Sequence, residues 1–256
     1  MTSSIHIQPA PVLPNSWHMI RALGGVGVLC SLLIVLTYQW TLPVIERNKA
    51  EALARAVYNV LPGATKQVTY QIIEGTLTPL AAPEAGPPTS SGQLVFVGFD
   101  ADQRLVGVAI EAAGQGFQDV IRLLYGYNPQ RQQVIGMEVL ESKETPGLGD
   151  KIIKDGDFLA NFAALDVALS DDGQSLQHTI VAVKAGRKQN AWEIDGITGA
   201  TISSVAVAEI IQASAGEYLP IVRSQIDALQ PPADALQPPS APIDSESANS
   251  PSGSER

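Results

Sequence analysis

The longest uncharged stretch of the chain is the feature that most limits how it can fold. Residues 22–45 contain no Asp, Glu, Lys or Arg, and Tyr38 and Trp40 lie near the end of this stretch. A helix needs about 20 mostly apolar residues to cross a bilayer, and aromatic residues are enriched at the bilayer interface. The sequence therefore predicts one transmembrane helix over residues 19–45, after a short N-terminal segment, 1–18.

A cleaved signal peptide is the alternative explanation for this stretch. The apolar region of a signal peptide spans only about 7–15 residues and ends at a small-x-small cleavage site. Residues 22–45 are longer, and no such site follows them directly, so a retained anchor is the favoured hypothesis. Basic residues flank the stretch on both sides, so the charges do not choose its orientation; they are Arg21 before it and Arg47, Lys49 and Arg55 after it.

Composition excludes several classes of function. The 256 residues carry a net charge of -10, from 16 basic and 26 acidic side chains. We expect no nucleic-acid partner, because binding to a phosphate backbone needs a clustered basic surface. Cys30 is the only cysteine, and His6, His18 and His178 are far apart in sequence. An intramolecular disulfide is therefore impossible, and we predict no metal site.

The part of the chain after the apolar stretch has the pattern of an α+β domain. Apolar residues at helical spacing predict an amphipathic helix over 46–60, which ends at Pro62-Gly63. Alternating β-branched residues predict a mostly antiparallel sheet with flanking helices; its strands are 67–73, 93–99, 105–111, 121–127 and 134–141. Further predicted elements are a helix over 158–165, a strand over 178–184 and a helix over 202–215.

Two segments rich in proline interrupt or follow this domain, which we place at 46–219. Residues 78–92 carry four prolines and predict a loop insertion. Residues 220–256 contain seven prolines and seven serines but no aromatic residue, and the hexamer Asp-Ala-Leu-Gln-Pro-Pro begins at both Asp227 and Asp234. Such a composition cannot bury a core, so a disordered tail is predicted.

One segment of small residues, 195–204, precedes the last predicted helix. It leaves the Thr201 hydroxyl accessible at the helix start, where free backbone N–H groups and the positive end of the helix dipole favour an anion. The hydroxyls of Ser203 and Ser204 are candidate partners for a phosphate there. Taken alone, the residues favour a simpler explanation, in which Thr198 or Thr201 caps the helix.

A second unusual segment, 144–150, reads Glu-Thr-Pro-Gly-Leu-Gly-Asp. It is consistent with an ordinary tight loop. It is also consistent with a ligand site, in which glycines let the backbone approach a flat ring, Leu148 is an apolar lid, and Glu144 or Thr145 makes polar contacts. The residues do not decide between these two explanations.

Together these segments resemble the FMN-binding domain found in the RnfG protein of the Rnf electron-transport complex and in the NqrC protein of the sodium-pumping NADH:quinone reductase. The resemblance covers residues 19–218, with the N-terminal span, the turn at 126–129 and the two segments above as landmarks. The sequence Asp-Lys-Ile at 150–152 is closer to the Rnf type.

The resemblance implies which residues form the site. In that family a separate flavin transferase esterifies FMN through its phosphate to the last threonine of Asp-x-x-(Ser/Thr)-Gly-Ala-Thr, which is Thr201 here. It implies a phosphate neighbourhood formed by Thr198, Gly199 and Ala200. It also implies a loop near the flavin ring, formed by Glu144, Thr145, Pro146, Gly147, Leu148 and Gly149. Phe117, which precedes them in the sequence, is a candidate either to stack on the flavin or to fill the core, and we expect it in the core.

The function that follows is a membrane-anchored flavoprotein electron carrier, a component of a redox-driven ion-translocating complex rather than a stand-alone enzyme. Its implied partners are the other subunits of an Rnf-like complex and the flavin transferase. The implied location is a bacterial inner membrane, crossed once, with the FMN domain on the periplasmic side. The alternative is an anchored non-redox module that binds an anionic ligand or a partner protein. No catalytic residue is predicted, since nothing like G-x-S-x-G is present.

Overall fold

The computed structural model describes residues 16–80 and 92–229. The helices in chain order are α1 Ser16–Val60, α2 Lys151–Lys154, α3 Gly156–Ala160 and α4 Thr201–Ser224, with 3-10 turns at Asn161–Ala163 and Ile226–Ala228. The strands are β1 Lys66–Ile73, β2 Thr76–Pro79, β3 Gln93–Phe99, β4 Leu105–Gln115, β5 Val120–Asn128, β6 Gln133–Glu141, β7 Leu165–Asp166, β8 Val181–Val183 and β9 Glu193–Asp195. The chain divides into two compact units, Met1–Glu51 and Ala52–Arg256.

The described part of the first unit is residues 16–51 of α1. This helix is long and apolar enough to cross a membrane, and its side chains over residues 17–40 are exposed within the structure. It is therefore a candidate membrane span, as predicted. Helix α4 also has the length and composition of a span, but half of it is buried against the sheet, so it is a core helix.

Helix α1 differs from the prediction in one respect. The sequence suggested a separate amphipathic helix over 46–60, whereas α1 continues without a break to Val60, with Pro43 inside it. The residues that follow Pro43 are good helix formers, and Arg47 and Glu51 pair one turn apart with a nitrogen-to-oxygen distance of 3.7 Å. Residues 44–51 contain no glycine or proline, so no strong helix breaker ends the helix there.

The second unit is built on a seven-stranded sheet of order β2-β1-β3-β4-β5-β6-β7, in which all neighbours are antiparallel. The five strands predicted from alternation are confirmed, with ends that differ by up to four residues. The sequence missed β2 and β7, which are short strands at the two edges. Part of the predicted loop 78–92 is wrong, because Thr78 and Pro79 belong to β2; residues 81–91 lie outside the described chain.

Helices cover both faces of this sheet. On one face, the end of α1 packs through Ala56, Val57 and Val60 against side chains from the central strands, which are Phe96, Ala109 and Leu124. On the other face lies the larger core, where α4 packs through Val207, Ile211 and Leu219, among others, against the opposite side chains of the same strands. Burying each large aliphatic side chain contributes about 1.5–3 kcal/mol, so the sheet depends on both layers.

The end of α4 corrects the predicted tail. The sequence placed a disordered segment from Pro220 onward, but α4 continues through Pro220 to Ser224, and Val222 and Leu229 are buried in the core. Proline removes one backbone hydrogen bond from a helix, and the apolar burial on either side offsets that loss. Residues 230–256 lie outside the described chain.

Two shorter predictions also need correction. The helix predicted over 158–165 is α3 followed by a 3-10 turn, and Leu165 instead pairs with Val134 in β7. The strand predicted over 178–184 is only Val181–Val183, which pairs in parallel with β9. This small sheet leads directly into the start of α4.

We predict that Gly126→Ala destabilises the second unit while Gly216→Ala does not. A Cβ on Gly126 would overlap the carbonyl oxygen of Val60, because the end of α1 rests directly on β5 at this glycine. Gly216 lies inside α4 with open space around it. Chemical unfolding of the full chain, followed by near-ultraviolet circular dichroism, should give a loss of about 1–3 kcal/mol or more for Gly126→Ala.

The matched Gly216→Ala variant should gain up to about 1 kcal/mol, since alanine is the better helix former. Equal stabilities for the two variants would mean that α1 does not pack against β5 as described.

Candidate flavin site

Three segments that are distant in sequence meet at one end of the sheet. They are the β4–β5 hairpin turn at 116–119, the loop 144–150 after β6, and the segment 196–204 that includes the first turn of α4. Thr145 Oγ1 donates to Gln118 Oε1 at 3.3 Å, and a Cβ on Gly199 would lie 3.8 Å from Leu148 Cδ2. The structure thus brings together the two segments that the sequence singled out, and adds a third.

A tight turn sets where α4 begins. The Ala200 amide donates to the Ile197 carbonyl at 3.0 Å, which closes a four-residue turn. Gly199 stands at the third position with φ of +85°, where a type II turn requires glycine. The turn therefore reverses the chain directly before Thr201, the first residue of the helix.

The first turn of α4 leaves the Thr201 side chain exposed. Ala200 is the residue at the N-cap position, and in the described structure no side chain caps the helix. The first backbone bond inside the helix runs from the Ser204 amide to the Ala200 carbonyl at 2.9 Å. The capping role that the residues alone favoured for Thr198 or Thr201 is therefore wrong. The first amides of α4 and the Thr201 hydroxyl lie at the positive end of the helix dipole.

The two serines that follow have a different role from the predicted one. Ser204 is fully buried; its Oγ accepts from the Ile197 amide at 3.1 Å and donates to the Ala200 carbonyl at 3.0 Å. Ser203 is also buried, and its Oγ donates to Glu144 Oε2 at 2.5 Å. These hydroxyls already have partners inside the protein, so they support the turn instead of reaching outward to a phosphate.

The loop 144–150 folds back on itself. The amides of Leu148 and Asp150 donate to the Thr145 carbonyl, and Gly147, with φ of +78°, donates its amide to Asp150 Oδ1 at 2.7 Å. A hydrogen bond from Lys154 holds the pKa of Asp150 below its usual range. The loop is therefore ordered by its own contacts, with Leu148 pointing to solvent.

Each of the three segments carries one exposed apolar side chain. Phe117, Leu148 and Ile202 are 61%, 49% and 59% exposed. The expectation that Phe117 fills the core is wrong: it sits on the hairpin turn between β4 and β5, beyond the reach of the sheet core. A cluster of exposed apolar groups at a polar helix start is a surface that a flat, amphipathic ligand would cover.

Glu144 also differs from expectation, because it is only 5% exposed. The predicted polar contact with a ligand ring would need an accessible carboxyl group. Its oxygens instead accept from the Gln118 backbone amide at 3.0 Å and from Ser203 Oγ. Sequence reasoning missed Gln118 altogether; the signal was the hairpin between two predicted strands, whose turn must lie at the same sheet end as the loop after β6.

Asp195, which begins the motif before α4, is a structural residue. Its carboxylate accepts from the amides of Gly186 and Arg187, and its own backbone is held by Asn161. These bonds fasten β9 to its surroundings. They fix the direction in which the chain enters the turn before Thr201.

Comparison with known proteins agrees with this geometry. The sequence matches the FMN-binding domain family over residues 116–215, a range that includes all three segments of the site. Proteins named as the G subunit of an ion-translocating oxidoreductase complex are similar to the chain. The one from Methanosarcina acetivorans is 27% identical over 78% of this chain and 93% of its own length, and the one from Shewanella baltica is 28% identical over 79% and 87%. The Escherichia coli K12 protein is 31% identical over 59% and 66%.

These matches support an FMN-binding protein of the RnfG/NqrC type. Solved structures of this type share its fold. The match to Shewanella oneidensis NqrC includes 71% of this chain and 99% of the NqrC chain, with a TM-score of 0.53 and 18% identity. The C subunit of the Na(+)-translocating NADH-quinone reductase from Parabacteroides distasonis covers 70% and 96%, with a TM-score of 0.54 and 19% identity. At these identities the likeness concerns the fold.

We predict that Ser204→Ala lowers stability, although the serine lies beside the proposed ligand site. The substitution removes both Oγ bonds and leaves the Ile197 amide without its acceptor, which should cost about 1–3 kcal/mol. Thermal unfolding of the full chain without flavin measures this loss.

Ser224→Ala is the matched control, because that hydroxyl is exposed and, among the described residues, bonds only to the Ile221 carbonyl at the end of α4. Its stability should stay within about 0.5 kcal/mol of the original chain. A Ser204→Ala protein as stable as the control would show that the turn does not need this hydroxyl.

Proposed function

We propose that this chain is a membrane-anchored flavoprotein electron carrier, with FMN esterified to Thr201, in an ion-translocating oxidoreductase complex of the Rnf type. The observation that carries the proposal is the exposed Thr201 hydroxyl at the uncapped start of α4, inside the region that matches the FMN-binding domain family. The relatives are named as subunits of such complexes.

The residues present fit the phosphate of FMN. An anion near a helix N-terminus is stabilised by about 0.3–1 kcal/mol at an exposed site, and more where water is partly excluded. Gly199 has no side chain to block the approach, and Thr198 is exposed next to it. The amides of the first turn of α4 can donate to phosphate oxygens without disturbing an existing side-chain cap.

Attachment requires an activated flavin donor, because an alcohol does not displace water from a phosphate monoester spontaneously in water. We propose that a flavin transferase supplies a flavin nucleotide with a phosphoanhydride bond. The Thr201 oxygen forms a bond to the phosphorus of the FMN portion, the anhydride bond breaks, and a nucleoside monophosphate leaves with the electron pair. The hydroxyl proton passes to that leaving group or to a base on the transferase.

The exposed apolar groups fit the flavin ring system. Phe117, Leu148 and Ile202 offer hydrophobic contact, and Thr145 offers a polar side chain on the same loop as Leu148. FMN supplies one- and two-electron transfer, and the protein sets its position and environment. A carrier must expose its flavin to its electron partners, so a covalent link prevents loss of the cofactor.

The anchor and its location complete the proposal. Helix α1 crosses a bacterial inner membrane once, with residues 52–229 on the periplasmic side beside the other subunits of the complex. In right-side-out membrane vesicles, added protease should degrade the FMN domain without lysis. Protection until the vesicles are broken would place the domain on the cytoplasmic side and contradict this orientation.

We predict that Thr201→Ala abolishes covalent flavin while Thr198→Ala retains it. Both threonines are exposed and stand three residues apart, so they are matched in residue type and exposure. The full chain and both variants are produced together with a flavin transferase. The flavin fluorescence of the protein band is measured after denaturing electrophoresis.

Circular dichroism of each variant confirms that it folds. Fluorescence of Thr201→Ala at the level of the original chain would reject the attachment site. A chain without flavin absorption bands in any form would instead favour the non-redox binding module.

A further inference from the structure

The carboxyl group of Glu144 occupies an unusual place in this fold. Among the residues that the structure describes, it is the only buried carboxyl side chain, and no lysine or arginine there forms an ion pair with it. Burying a carboxyl group without a cation is costly unless hydrogen bonds replace its water. A side chain retained at that cost needs an explanation from its neighbours.

Its two oxygens reach two different parts of the site. Oε1 accepts from the Gln118 amide at 3.0 Å, on the hairpin turn that carries Phe117. Oε2 accepts from Ser203 Oγ at 2.5 Å, in the first turn of α4 and two residues after Thr201. Glu144 itself begins the loop that carries Leu148. One side chain therefore joins all three segments.

The packing around the carboxyl group is close on both sides. A Cβ on Gly116 would lie 2.5 Å from Oε1, and a Cβ on Gly149 would lie 2.6 Å from Oε2. Both contacts are shorter than ordinary van der Waals distances, so only glycine leaves room for the carboxyl group at these two positions. The group is held in a fitted space between the hairpin turn and its own loop.

We propose that Glu144 is a positioning residue for the flavin and does not itself contact the flavin ring. Through Ser203 it fixes the helix turn that presents the Thr201 hydroxyl, and through Gln118 it fixes the turn that presents Phe117. The Thr201 hydroxyl and the Phe117 side chain are then held at a defined separation before FMN is attached. This inference rests on the proposed function, because it assigns Glu144 a role in holding the same cofactor.

The test compares four full-length variants, each produced with and without the flavin transferase. Glu144→Ala removes both bonds, and Ser203→Ala removes one. Glu144→Gln keeps the shape, since its amide oxygen can accept from Gln118 and its NH₂ can donate to Ser203 Oγ. Glu209→Gln, an exposed position on α4, is the control for loss of a carboxylate.

The first measurement is the rate of covalent FMN attachment, read from intact mass at a temperature where every variant is folded. Glu144→Ala should attach FMN about tenfold to a hundredfold more slowly, as expected when an outer support of a reacting group is lost. Glu144→Gln and Glu209→Gln should stay close to the original rate. The visible circular dichroism of the attached flavin should change in Glu144→Ala and remain the same in Glu144→Gln.

The second measurement is amide hydrogen exchange without flavin, over residues 116–119 and 201–204. Exchange should be faster in Glu144→Ala in both segments, and in Ser203→Ala at the helix turn. If Glu144→Ala does not fold, Ser203→Ala must still slow attachment and Glu144→Gln must still preserve it.

Unchanged attachment and dichroism in the Ala variants would overturn the inference, as would a Glu144→Gln protein that is as slow as Glu144→Ala. These results are distinct from failure of the proposed function, in which the original chain carries no flavin. In that case exchange alone decides: faster exchange in Glu144→Ala keeps Glu144 as the link between the segments, and unchanged exchange removes that role.

Discussion

The position of α4 across one face of the sheet is the constraint on which the site depends. The helix is held along its length by apolar burial, and near its middle by the hydrogen bond between Ser214 Oγ and the Tyr125 hydroxyl at 2.9 Å. Its first turn must therefore stop at the sheet end where the β4–β5 turn and the loop after β6 also lie. Without that alignment, Thr201 would begin a helix away from the β4–β5 turn and the loop after β6.

The same sheet uses its other face for a different purpose. There the end of α1 rests on strand backbone at Gly126, close enough that no side chain fits between them. The two faces thus separate two tasks: one fastens the segment that follows the candidate membrane span, and the other presents the ligand site. Both faces are formed by the same strands, because successive side chains along a strand point to opposite faces. A residue that packs against α1 is therefore followed by one that packs against α4.

Local pattern predicted much of this arrangement. The five central strands follow from alternating β-branched residues, and the start of α4 follows from the small residues before Thr201. The resemblance supplied the cofactor, which the residues alone did not. The failures have a common cause, which is that burial is decided by distant parts of the chain. Glu144 meets a serine 59 positions away, and α4 passes Pro220 because the core continues beyond it.

Phe117 illustrates the same limit from the opposite direction. Its residue type favours the core, yet the hairpin turn places it outside, on a segment that Glu144 links to the first turn of α4. Glu144 has the residue type of the surface and lies inside. Exposed apolar residues and buried polar residues are typical of functional sites, because a ligand site needs exposed apolar groups and rigid polar supports.

Mass spectrometry of the intact chain, purified after production with a flavin transferase, detects the covalent link itself. We expect the mass of the polypeptide plus FMN less one water molecule, with the added mass on the tryptic peptide that contains Thr201. A chain with only its polypeptide mass, or with the flavin on a different peptide, would contradict it.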